Sequence, residues 1–285
     1  MKAYLINDTD NGTHAGCAAV MRSLRAALTA VPGLDLSGNL KSGSFALEDA
    51  AWEEADVIFI NGEGSIHHSS ERALFLLTII GEAKKAGKKV LLVNALFQQY
   101  ECPQPDILAG LALLSVREPR SFAFSRRFGG EPLLLLDSAA DPAFLDGGQA
   151  IPLNHGTVIG GSHRHGLIDE PFEGVRGHIL TLADASFPDL VATLRGAEIY
   201  LTAQHHGAYA AALAGCPFVV TPSNSHKIES FIEWTGLPIP ICLAKHELGP
   251  AMGYAKRNKT MFAELQGFLR ERSVLTTAMI MEALR

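Results

Sequence analysis

Histidine placement is where this chain could do chemistry. Of its 11 histidines, His14, His67, His68, His163, His165, His205, His206 and His226 fall in polar loops that follow short apolar runs. The loops are NDTDNGTHAGC (Asn7 to Cys17), NGEGSIHHSS (Asn61 to Ser70), REPRS (Arg117 to Ser121), GGSHRHG (Gly160 to Gly166), AQHHG (Ala203 to Gly207) and PSNSHK (Pro222 to Lys227). Imidazole titrates near neutral pH and can serve as acid or base, so histidines gathered after strands point to a shared polar cleft.

GGSHRHG has the features of an anion cradle. Gly160 and Gly161 let the backbone approach a ligand, Ser162 offers a hydroxyl, and His163 and Arg164 supply donors and charge. An exposed turn with incidental cations is the plain alternative. The Walker lysine is missing, which argues against a P-loop nucleotidase, and HRH has no third ligand at a zinc-site spacing. NGEGSIHHSS puts Glu63, His67 and His68 after an apolar run, with Ser70 or Ser69 placed to cap the next helix; a simple turn and cap reads equally well. A GxSxG nucleophile elbow is absent. Asp8-Thr9-Asp10 reads as a turn rather than a metal-binding acid pair. Arg117 must either pair with an acid such as Glu118 or face a cleft, where its fork suits a carboxylate. Asp137 and Asp141 read as turn formers and interdomain anchors.

Around these loops, apolar runs alternate with helical periodicity, the pattern of βα units on a mostly parallel sheet, so the fold class is α/β. Strands are expected at Lys2 to Ile6, Val57 to Ile60, Lys89 to Val93, Ala112 to Val116 and Leu133 to Leu136, then at Thr157 to Ile159, Ile179 to Leu182, Glu198 to Thr202, Phe218 to Thr221 and Ile239 to Ile241. Helices are expected near Ala15 to Ala30, Glu71 to Ala86, Ser121 to Phe128, Pro188 to Leu194, Ala208 to Ala214 and Ile228 to Thr235, with a helical tail from Gly253. Glycine and proline without periodicity mark Pro142 to Gly156 as a linker. The reading is two Rossmann-like domains facing a central cleft, residues 1–148 and 149–285, the last helices packing back on the first.

Composition narrows the partners. A chain 47% hydrophobic and 19% charged is globular, and a net charge of −6 without a basic block speaks against nucleic acid. Cys17, Cys102, Cys216 and Cys242 show no CxxC spacing and read as reduced thiols, with no disulfide and no metal required. The start turns polar after six residues and the apolar run Ala73 to Ile80 is too short to span a bilayer. A cytoplasmic protein is expected, in at most peripheral contact with the inner face of the membrane.

The motifs DVIFINGEGS, SVREPRS, the Asp-Pro of DSAADPAF, and above all TAQHHGAYAAALAGCPFVVTPSNSHK resemble the polysaccharide pyruvyl transferase family over about Asn7 to Lys227. The resemblance implies a GT-B-like fold and transfer of pyruvate from phosphoenolpyruvate to a sugar as a ketal, without a cofactor. It also implies His206 as general acid and base and Arg117 as the grip on carboxylate or phosphate. Gly160, Gly161, Ser162, His163, Arg164, Gln204, His205 and Lys227 would be on the donor side, and Asn11, His14, Glu63, His67 and His68 would face the saccharide acceptor. Gln204-His205-His206 stands where the family commonly has arginine-leucine-histidine, so a permanent cation is missing. A GT-B-like glycosyltransferase with a nucleotide-sugar donor is therefore the alternative, and a non-catalytic sugar-binding subunit the second.

Overall fold

The structure is a computed structural model that describes residues 1–47, 50–99, 105–161 and 170–285. Contacts divide the chain into two compact units: residues 1–10, 21–138 and 273–285 in the first, residues 11–20 and 139–272 in the second.

In the first unit the elements are β1 (Lys2–Asp8), α1 (Ala15–Thr29), β2 (Asp35–Lys41), α2 (Ala50–Glu54), β3 (Val57–Asn61), β4 (Ile66–His67), α3 (Glu71–Lys85), β5 (Lys89–Ala95), β6 (Phe97–Gln98), β7 (Leu113–Val116), α4 (Pro119–Arg126) and β8 (Leu133–Leu134). Of α1, the residues through Val20 cluster with the second unit and the remainder with the first. Six strands form a parallel sheet in the order β2-β1-β3-β5-β7-β8, and β4 with β6 make a separate parallel pair. The central strands are apolar without alternation because both faces are covered: β3 is buried throughout, and β5 is buried after its first residue. Ser70 caps α3 by accepting from the Ala73 N–H, one of the two caps expected.

The second unit holds β9 (Thr157–Ile159), β10 (His178–Ile179), α5 (Phe187–Leu194), β11 (Ile199–Thr202), α6 (His205–Ala214), β12 (Phe218–Val220), α7 (Lys227–Thr235), α8 (Leu248–Arg257) and α9 (Lys259–Arg270). Its parallel sheet runs β10-β9-β11-β12. Small residues let α6 sit deep: everything from His205 to Ala212 is buried, and Gly215 closes the helix in the left-handed conformation. The final helix, α10 (Thr277–Leu284), belongs to the first unit, where Thr277 donates to Ala27 O and Lys89 to Leu284 O.

Several elements depart from the sequence reading: α2, β4 and β6 were not expected, and β8 is strand only at Leu133–Leu134 of the run expected to Leu136. β2 was not foreseen, since DLSGNLK buries only Leu40; pairing with β1 makes it a strand. The strand expected at Ile239 to Ile241 reduces to one bridge, Val220 to Ile241, because Pro238 and Pro240 cannot donate to a ladder. The one expected at Ile179 to Leu182 is strand only at His178–Ile179. No helix among the described residues is long and apolar enough to cross a membrane.

Candidate functional site

In the first unit the carboxyl ends of the strands carry a buried polar layer. Asn7 ends β1 with φ +63° and donates to Asn61 O at 2.6 Å and Ser65 Oγ at 3.0 Å. Asn94 in β5 is also left-handed, with φ +54°, and accepts from the Ser138 N–H; asparagine tolerates this backbone better than most residues. Glu63 accepts from Thr9 Oγ1 at 2.7 Å. Arg117 is 2% exposed and donates to Asp137 at 2.5 Å. Glu118, the partner the sequence suggested for Arg117, instead caps α4 by accepting from the Arg120 and Ser121 N–H groups. Asp137, read as a turn former, is the counter-ion. His67 and His68 bring their Nδ1 atoms to 2.8 Å of each other, with His68 left-handed at φ +54°.

Asp8 anchors rather than binds metal in this arrangement. Its side chain is fully buried between Arg25 and Lys41, each at 2.6 Å, and accepts from Asn39. Burial alone would raise its pKa, but the Lys41 hydrogen bond and the Arg25 charge hold the carboxyl below its ordinary value.

In the second unit the ends of β9 and β11 carry a different chemistry. After β9, Gly160 must be glycine: a Cβ there would lie 1.9 Å from the Tyr200 hydroxyl oxygen. Gly161 follows with φ +87°, and its carbonyl accepts from the Ala203 N–H. Ser162, His163 and Arg164 lie outside the described residues. β11 passes directly into α6, whose N-cap residue Gln204 makes no side-chain cap. The Gln204 Oε1 is buried and has no hydrogen-bond partner among the described residues. Lys227, at the start of α7, donates to Asn224 Oδ1 at 2.7 Å.

The adjacent histidines are divided by their surroundings. His205 packs into an aromatic group, 4.8 Å from the Tyr209 ring and 6.3 Å from Phe231 between centroids. His206 turns towards the start of α1, with its ring centroid 5.4 Å from that of His14. That start is fixed in the second unit by the Ala15 N–H, which donates to Leu182 O at 2.7 Å. His14 Nδ1 accepts from the Cys17 N–H at 3.2 Å. Gly16 lies flat against the His206 ring: a Cβ at position 16 would be 2.3 Å from His206 Cγ. His14, Cys17 and His206 each offer a donor atom, all within 4.8 Å of one another. Cys216 and Cys242 are buried thiols instead, pushed up to about 12 and about 11 by desolvation.

The expected site residues therefore fall into two sets. His14, Gly160, Gly161, Gln204, His205, His206 and Lys227 belong to the second unit, with Asn11, whose side chain accepts from Thr13. Glu63, His67, His68 and Arg117 belong to the first. Gly16 and Cys17 were missed as site residues. His14 and Cys17 are three apart across a helix start, a spacing the sequence carried; their third partner lies far along the chain and gives none.

No family model and no curated protein matches the chain. Among solved structures, a putative UDP-N-acetylglucosamine 2-epimerase from Listeria monocytogenes is similar at a TM-score of 0.61 and 13% identity, covering 100% of this chain and 94% of the other. The glycotransferase of kitacinnamycin is similar at 0.60 and 12%, covering 98% and 97%. The UDP-GlcNAc 2-epimerase of Methanocaldococcus jannaschii, in complex with UDP-GlcNAc and UDP, is similar at 0.56 and 13%, covering 95% and 99%. The fold is of the GT-B class, two Rossmann-like domains with parallel sheets.

Proposed function

We propose that this chain is a glycosyltransferase that uses a nucleotide-linked sugar and a saccharide acceptor. The observation that carries the reading is the end of β11, where α6 begins without a side-chain cap beside the left-handed Gly161, with the Gln204 Oε1 buried and unpartnered. A helix N-terminus next to a glycine turn is suited to a diphosphate, because N–H groups and the helix dipole both favour negative charge. The fold likeness to a protein in complex with UDP-GlcNAc and UDP supports a nucleotide diphosphate as that anion.

Gly160, Gly161, Gln204 and Lys227 take the diphosphate side in this reading, together with Ser162, His163 and Arg164 of the glycine loop. His206 serves the acceptor, whose hydroxyl must lose its proton as the glycosidic bond forms. His205 supports His206 through packing. Arg117 is a positioning residue, since its guanidinium is engaged with Asp137.

Thermal unfolding tests the donor. UDP, GDP or dTDP at 100 times its dissociation constant should add about 2.7 kcal/mol of stability and raise the midpoint. Stabilisation by phosphoenolpyruvate and by none of the nucleotides would overturn the proposal in favour of pyruvate transfer, the activity the motif resemblance implies.

A further inference from the structure

His14, Cys17 and His206 offer two imidazole nitrogens and one thiol sulfur within 4.8 Å of one another, the one such group of three found among the described residues. We propose that they form a zinc site with an open fourth position. Tetrahedral zinc has bonds of about 2.0–2.1 Å to nitrogen and about 2.3 Å to sulfur, which sets its ligand atoms roughly 3.5 Å apart. The group thus needs to close by about an ångström, within the reach of side-chain rotation for the half-buried His14 and Cys17. A donor set of thiolate and imidazole selects zinc over magnesium or calcium, which take oxygen.

Several features of the fold bring these three residues together. His14 immediately precedes α1 and its side chain accepts the amide of Cys17 in the first turn, and that turn is held to Leu182 by the Ala15 N–H. Between them stands Gly16, and any larger residue would drive the His206 ring away from the pair. His206 itself is only 6% exposed and is seated by the start of α6. The Nδ1 atom of His14 accepts the Cys17 amide at a long 3.2 Å, so binding through that lone pair replaces one weak hydrogen bond. Thiolate formation releases one proton to solvent as the metal enters.

Three protein ligands and one vacant position are the pattern of a catalytic zinc. On the glycosyltransferase reading, on which this role rests, an acceptor hydroxyl in the fourth position would have its pKa lowered and would lose its proton to bulk water as its oxygen bonds the sugar carbon and the nucleoside diphosphate leaves. His206 then acts on the acceptor through the metal.

The test is metal binding without nucleotide or sugar, so its failure is separable from that of the glycosyltransferase reading. Chelator-treated protein is titrated with zinc against a chromophoric competitor, and separately with cobalt(II). The expected result is one equivalent per chain and a thiolate-to-cobalt charge-transfer band. Cys17→Ser should abolish the band, and His206→Asn and Gly16→Ala should each weaken zinc at least about tenfold, with far-ultraviolet circular dichroism confirming the fold of every variant. His14→Asn, at a half-buried position, gives a second ligand deletion should another variant fail to fold. Cobalt binding without the thiolate band, zinc affinity unchanged in Cys17→Ser, or no stoichiometric binding would each overturn the proposal.

Discussion

The two sheets end in polar layers of opposite character. At the carboxyl end of the first unit's sheet, Asn7, Asn61, Glu63, Ser65, Asn94, Arg117 and Asp137 are all buried, joined by hydrogen bonds and by the Arg117–Asp137 ion pair. At the corresponding end of the second unit, His14, Cys17 and Gln204 are half-buried, the His14 and His206 rings meet edge to face, and Gly16 lies against the His206 ring. Interlocked buried charge fixes backbone geometry and leaves little to offer a ligand. Half-buried side chains are within reach of one. The first layer should therefore be revealed by lost stability, and the second by lost function.

Asp137→Ala should have the largest effect. It removes the carboxylate that the buried Arg117 guanidinium donates to, and breaking a buried pair in this way costs about 3–5 kcal/mol. Urea unfolding reads this directly as a lowered midpoint with an unchanged slope. The double variant Arg117→Met, Asp137→Leu should recover most of the loss, because a buried pair replaced by apolar residues of similar size is often neutral. A single variant as stable as the parent would remove the distinction between the two layers.

Gly16→Ala is next. The new Cβ would press on the His206 ring, and overpacking of this kind costs about 1–3 kcal/mol. The sharper readout is functional: turnover should fall further than stability predicts, because His206 moves away from His14 and Cys17. Wild-type turnover in Gly16→Ala would show that the approach of the ring is packing alone.

Asp8 gives the first unit a pH signature. Its folded pKa lies below the unfolded value, because the Lys41 hydrogen bond and the Arg25 charge outweigh its burial. The stability it contributes is thus present above the unfolded pKa and is lost as pH falls through the folded one. Denaturant titrations between pH 5 and pH 2, roughly the window around an ordinary carboxylate, should show stability falling in the parent and falling less steeply in Asp8→Asn. At neutral pH the variant should cost about 1.5–3 kcal/mol, the range for hydrogen bonds to a charged group. Parallel pH profiles would remove Asp8 from the account.

Much of this arrangement could be read from residues, and the remainder has physical reasons for staying hidden. VIFIN and KVLLVNA announce buried parallel strands because both faces need apolar side chains. β2 is an edge strand, and its identity comes from its neighbour rather than from its own composition. Arg117 was expected to pair with an acid such as Glu118 or to face a cleft; it pairs with an acid, but with Asp137, which follows β8 beside β7, while Glu118 caps α4. The histidine loops stand out by type and spacing, but which histidine of the adjacent pair faces α1 depends on where α6 begins. His206 meets α1 and His205 meets Phe231; the motif resemblance singles out His206, which spacing alone does not.

The smallest expected effect on stability belongs to Cys17→Ser, and it separates the two layers most cleanly. Cys17 is half-buried in the first turn of α1, and serine keeps its size while removing the soft donor. Substitutions away from cores and buried networks usually stay within about 0.5 kcal/mol, so the unfolding midpoint should hardly move. Turnover should nonetheless collapse if the thiolate completes the site. A matched loss of stability and turnover would instead mean that Cys17 packs like Cys216, and the second layer would then be structural in the same sense as the first. Unchanged stability with unchanged turnover would leave His14 and His206 as the acting pair and remove sulfur from the site.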